Sequence, residues 1–166
     1  SPEYPDFWPM FNEVFNEGFP NPDDAYYLTV VDDDGIYKLS GYRGTVRMLD
    51  MQVGSGPLNA RGTGSFGPTL DNYDFDSLHL GKDGSFEVIL SPTRPAGYQG
   101  DWWPLKAKAS YLLVRQRAYD LLHEIDGRLA IERLDRPAIK PRPTAQALAA
   151  NLRDIPAWVE GWTSYS

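Results

Sequence analysis

Tyr26-Tyr27-Leu28-Thr29-Val30-Val31, then Asp32-Asp33-Asp34-Gly35, then Ile36-Tyr37-Lys38-Leu39-Ser40 is the stretch that decides the class of fold. Aromatic and β-branched residues fill both runs, and the Asp-Gly step between them is tight-turn chemistry, so the pattern predicts a β-hairpin. Asn21-Pro22-Asp23-Asp24-Ala25 leads into it. Gly41-Tyr42-Arg43-Gly44 punctuates its end, ahead of a third strand over residues 45–53.

Working outward, Ser77 to Leu80 and Ser85 to Leu90, joined by Gly81-Lys82-Asp83-Gly84, read as a second hairpin. Alternation puts Phe86, Val88 and Leu90 on a core face and Glu87 on the other. Tyr111 to Arg117 reads as a long strand, with Leu112 and Val114 on one side and Tyr111, Leu113, Arg115 and Arg117 on the opposite one. Leu129 to Arg133 reads as the last strand. The expected fold is mainly β: an antiparallel β-sandwich, jelly-roll-like, with a short N-terminal helix and a C-terminal helical tail. The helix is expected over residues 7–15, whose apolar residues recur near a period of 3.6.

The sandwich with its N-terminal helix is assigned to residues 1–143 and the tail to 144–166. In the tail, Thr144 is the expected N-cap and a break is expected before Pro156. Trp158 and Trp162 follow at helical spacing; two indoles are costly to leave in water, so they are expected to pack on the domain or to hold a second copy in a homo-oligomer. Gly54 to Pro68 is rich in glycine and proline and reads as a long loop. Within it, Gly62-Thr63-Gly64-Ser65-Phe66-Gly67 fits a dinucleotide fingerprint, but no helix pattern follows to hold a pyrophosphate.

Composition narrows the function classes. The chain has 16 basic and 23 acidic side chains, a formal charge of -7, which repels polyanions and argues against a nucleic-acid partner. It has no cysteine, which removes disulfides, thiolate zinc sites and a cysteine nucleophile. No run approaches the roughly 20 apolar residues of a membrane span, and with no targeting segment in this sequence a soluble, cytoplasmic setting is expected.

His79 and His123 lie in no metal-binding spacing; His123-Glu124 could form half of a general-base pair, but a lone histidine is more often structural. The acidic runs Asp32-Asp33-Asp34 and Asp71 to Asp76 match no EF-hand loop and read as turns, so neither metal nor cofactor is expected. The strongest candidate is Tyr98-Gln99-Gly100-Asp101-Trp102-Trp103-Pro104, which sets a carboxylate beside two indoles. Neighbours in an extended chain point opposite ways, so at most one of Trp102 and Trp103 plugs the core.

An outward indole, with Tyr98 and with Arg115 or Arg117 from the next strand, would make an aromatic and arginine-lined surface for a small molecule or saccharide. The alternative is that both tryptophans are buried and the arginines pair with Asp120, Glu124 or Glu132. A second reading is a cofactor-independent acid–base enzyme, a hydrolase or lyase, with Asp101, Glu87 and Tyr27 as catalytic groups. A third is an assembly module gripping a neighbour through the tryptophan tail.

Taken in order, Asn21-Pro22-Asp23-x-x-Tyr26, Gly41-x-Arg43-Gly44, Asp83-Gly84-Ser85-Phe86-Glu87, Asp101-Trp102-Trp103-Pro104-Leu105, Leu113-Val114-Arg115-Gln116 and Ile131-Glu132-Arg133-Leu134 resemble a bacterial family, domain of unknown function 1214, over roughly residues 20–135. The resemblance implies a β-rich domain, often the C-terminal part of a longer protein, and assembly into oligomers; the family carries no established activity. Its pattern reads Asn-Trp-Leu-Pro where this chain has Asp101-Trp102-Trp103-Pro104, and Asn-Pro-Asp-Asn where it has Asn21-Pro22-Asp23-Asp24. Both departures add carboxylates.

Overall fold

The computed structural model describes residues 1–11, 21, 23–56 and 67–163; the side chains of Trp158 and of residues 161–163 lie outside the description. The elements are β1 (Trp8–Pro9), β2 (Asp24–Val30), β3 (Tyr37–Tyr42), β4 (Met48–Gly54), β5 (Thr69–Asp74), a 3-10 turn (Phe75–Ser77), β6 (Ser85–Ser91), β7 (Asp101–Pro104), β8 (Tyr111–Arg117), β9 (Arg128–Arg133) and α1 (Ala145–Thr163). They form two sheets, ordered β1-β2-β8-β4-β5 and β7-β6-β3-β9, and one C-terminal helix. The fold is mainly β.

Both sheets turn their alternating apolar residues to one core. Phe86, Val88 and Leu90 of β6 and Tyr37 and Leu39 of β3 meet Leu112 and Val114 of β8 and Leu49, Met51 and Val53 of β4, all buried. The period-2 reading of β6 and β8 therefore holds, and Val88, Leu112 and Val114 are completely excluded from solvent. Burial at about 25 cal/mol per Å² makes these positions the main source of stability.

The pairing differs from the expected hairpins. β2 and β3 belong to different sheets, so Asp32-Asp33-Asp34-Gly35 carries the chain across the core instead of closing a hairpin. Arg133 draws this turn in: its guanidinium, almost wholly buried, pairs with Asp32, Asp34 and Asp135 and lies 5.5 Å from the centre of the Tyr37 ring. The acidic run thus surrounds an arginine. Ser77 to Leu80 is not a strand; β6 pairs with β3 and, in parallel, with β7. That pairing makes the second sheet mixed, where an antiparallel one was expected.

Two glycines explain how β9 closes on β3. A side chain at Gly41 would run into the Arg128 carbonyl, and Gly44 sits at φ +65 against Ile125 and Asp126. At the N-terminus, Trp8–Pro9 pairs with Leu28 and Tyr27 as an edge strand, which corrects the expected helix at its first residues; residues 12–15 lie outside the described ones. Gly62 to Phe66 also lie outside.

The tail is helical with Thr144 as its cap, its Oγ1 accepting the Ala147 N–H at 3.1 Å. The helix continues through Pro156, where a break was expected. Every described side chain on it is exposed, Leu148, Leu152 and Ile155 included. The expected packing of Trp158 and Trp162 lies outside the described side chains. No helix among the described residues is long and apolar enough to cross a membrane.

Candidate functional site

A cleft of about 640 Å³ opens at the β6–β7 edge, lined among others by His79, Ser85, Glu87, Tyr98, Gln99 and Asp101. Each wall has a local cause. β7 is pinned by Trp103, which is buried, stacks on Tyr73 at 4.8 Å between ring centres and meets Phe75 edge-on at 5.2 Å. Asp101 stands two residues earlier on the same strand and is thereby fixed at the cleft. His79 follows the short turn whose Phe75 and Leu78 are buried anchors and whose cap, Asp74, accepts the Asp76 N–H at 2.9 Å.

Asp101 joins these two segments. Its Oδ2 accepts the His79 backbone N–H at 2.7 Å and its Oδ1 meets His79 Nδ1 at 2.6 Å. A carboxylate only accepts, so Nδ1 carries the proton between them and Nε2 takes no part in the pair. Burial pushes the Asp101 carboxyl up, but the ring and backbone hydrogen bonds from His79, with the charges of His79 and Arg94, outweigh it and hold the group below the usual carboxylate range. Tyr98 is shifted the other way: burial, then the Glu87 and Asp101 charges, raise its phenol. The cleft is electronegative. Its Tyr98 wall is held by a turn, with Tyr98 N–H on Pro95 O at 3.1 Å and Arg94 Nη2 on Gly100 O at 2.6 Å.

Three of the sequence candidates, Glu87, Tyr98 and Asp101, therefore come together. The others do not join them. Trp103 is a core residue; Trp102 is half-buried on the opposite face, its Nε1–H donating to Ser91 Oγ at 3.0 Å. Arg115 and Arg117 lie on β8 in the other sheet, which corrects the expected aromatic and arginine-lined face. Arg115 grips Asp50 through two bonds of 3.0 Å, and Arg117 grips Asp24 at 2.6 and 2.7 Å. Both are paired, with carboxylates other than Asp120, Glu124 or Glu132, because β2 and β4 flank β8 in register.

Tyr27 packs against the core and lines a separate cleft with Phe7, Gly127, Arg128 and Leu129. His123 Nδ1 meets Asp120 at 2.7 Å on the surface, while Glu124 accepts the Tyr119 N–H. His79 is the residue the sequence reading passed over. Its partner lies 22 residues away, and no local spacing announces it. Among the described residues no group of three or more histidine, aspartate or glutamate side chains is placed to hold a metal ion.

The fold and cleft define a two-sheet β protein with an acidic, tyrosine-bearing surface site. No family model matches the sequence, and no curated protein matches it. A crystal structure of an uncharacterized protein from Burkholderia cenocepacia is similar over 97% of this chain, at 30% identity and a TM-score of 0.80. The match covers 43% of that chain, so the present chain spans less than half of its length. A structure from Vibrio parahaemolyticus matches at 12% identity and a TM-score of 0.38, over 79% of this chain and 31% of that one.

Proposed function

We propose that the protein binds a small hydroxyl-rich molecule of the saccharide class in the His79–Asp101 cleft, on a jelly-roll-like sandwich scaffold. The observation that carries this reading is the convergence on one cleft of Glu87 from β6 with Tyr98 and Asp101 from the segment that enters β7. Carboxylates accept hydroxyl hydrogens in pairs, Ser85 and Gln99 both donate and accept, and the Tyr98 ring offers a face to sugar C–H groups. The cleft volume falls within the roughly 300–1,000 Å³ of small-molecule sites. Titration with a panel of neutral monosaccharides, followed by amide chemical shifts, tests it. Saturable shifts confined to residues 79–87 and 98–101, lost in Glu87→Gln with Asp101→Asn, are the expected result. The absence of any saturable shift across the panel would end this reading.

The His79–Asp101 pair favours a second reading, acid–base chemistry by a hydrolase or lyase. A carboxylate on Nδ1 orients the ring, which places Nε2 to take and return a proton at a bound molecule. Bond cleavage in a bound saccharide that stops in His79→Gln while binding persists would support it. Unchanged turnover in that variant would reject it.

A further inference from the structure

We propose that a further cleft, built from the ends of β3 and β9 and the turns beside them, takes a zwitterionic small molecule with an apolar group, of the class of free α-amino acids bearing an aromatic or branched side chain. It has a volume of about 490 Å³ and is lined by Tyr42, Lys82, Ile125, Asp126 and Arg128 around the backbone of Gly44, Thr45 and Gly84. Its frame is rigid because three separate segments are bonded to one another. Arg43 N–H donates to Gly84 O at 2.8 Å, Thr45 N–H to Ile125 O at 2.8 Å, and Ile125 N–H to Thr45 Oγ1 at 2.7 Å. Those groups are satisfied by the frame itself. Recognition therefore falls to the side chains.

The apolar part has a platform: Tyr42 is 50% exposed and Ile125 60%. Tyr42 and Arg128 are direct cross-strand partners between β3 and β9, so their side chains leave the sheet on the same face. The charged parts have partners of both signs. In the β domain Lys38, Arg43, Lys106, Arg115, Arg117 and Arg133 are ion-paired, whereas among the described residues Arg47, Arg94 and Lys108 are not. Among the described residues neither Lys82 nor Arg128 is in an ion pair, and neither is Asp126. Asp83, the other carboxylate, already accepts the Ser85 N–H at 3.1 Å. A carboxylate would meet Arg128 and Lys82, an ammonium would meet Asp126, and a ring or branched chain would lie on Tyr42 and Ile125. A bare anion would leave Asp126 repelling it, and a bare cation would face two positive groups.

Three probes separate the contributions: L-phenylalanine, phenylpropionate, which lacks the ammonium, and phenethylamine, which lacks the carboxylate. Amide shifts are followed in the wild-type protein, in Lys82→Gln/Arg128→Gln and in Asp126→Asn. These side chains are exposed, so unchanged melting temperatures are expected and verify the fold. L-phenylalanine should give saturable shifts at Gly44, Thr45, Gly84 and Asp126, with about tenfold weaker binding for either truncated probe and in either variant. Shifts that never saturate, equal affinity for the three probes, or affinity unchanged in the double variant would each overturn the proposal. Because the first cleft shares none of these side chains, its saccharide titration succeeds or fails independently.

Discussion

The carboxylate of Asp101 holds His79 twice, through the backbone N–H at 2.7 Å and the imidazole Nδ1 at 2.6 Å. One side chain thus fixes both the path of the 78–80 segment and the tautomer of the ring above it. The imidazole is 95% exposed, whereas the carboxylate is only 15% exposed, so the stationary member of the pair is the aspartate.

Replacing Asp101 with Asn should therefore act on the histidine more than on the fold. The amide can still accept one bond, so the stability loss should stay near about 1 kcal/mol. The imidazole nitrogen shifts should move from a fixed Nδ1–H form to a mixture of tautomers. A histidine spectrum identical to the wild type would show that the pair does not orient the ring.

Adjacent tryptophans should respond very differently to truncation. Trp103 fills the core between Tyr73 and Phe75, and its replacement by Ala should cost about 3–5 kcal/mol. Trp102→Phe keeps most of the packing and loses the bond to Ser91, a cost of about 1 kcal/mol. Denaturant melts compare the two directly, and equal losses would contradict the facing of β7.

Stability should fall in acid, and the direction follows from three arginine-bound carboxylates. Arg117 holds Asp24 below its ordinary value, Arg43 does so for Asp76 and Arg133 for Asp135. A carboxyl whose folded pKa is depressed contributes stability above its unfolded pKa, near 3.9, and loses it as pH drops through the folded value. Melting temperature should be level from pH 7 to 5 on account of these groups and decline from about pH 4 downward. In Arg43→Gln, whose partner would no longer be depressed, the decline should be shallower. A melting temperature that rises between pH 5 and 3 would reverse the sign and refute the assignment.

Which parts of this were legible in the sequence depends on whether the deciding interaction is local. The alternation of Phe86, Val88 and Leu90, or of Leu112 and Val114, states a face directly because burial repeats every second residue. Sheet membership has no such signature. Asp32-Asp33-Asp34-Gly35 has hairpin chemistry, yet the strands on either side of it find their partners at Arg117 and Arg133, far along the chain. The parallel seating of β7 on β6 is equally non-local. For the candidate site, Asp101, Glu87 and Tyr98 stood out by chemistry, while Arg115 and Arg117 were misplaced because residue type says nothing about which sheet a strand joins.

The tail offers the sharpest separation of fold from surface. α1 spans Ala145–Thr163, and none of its described side chains covers the core built by the two sheets, since all of them are exposed. Removing residues 144–166 should therefore leave the melting temperature of the β domain within the range of ordinary surface changes, about 0.5 kcal/mol. Light scattering on the same pair of proteins reads the other role: a larger assembly for the full chain than for the truncated one would place a contact in the tail, where Leu148, Leu152 and Ile155 are exposed. A marked loss of stability with unchanged mass would instead mean that the helix packs on its own domain.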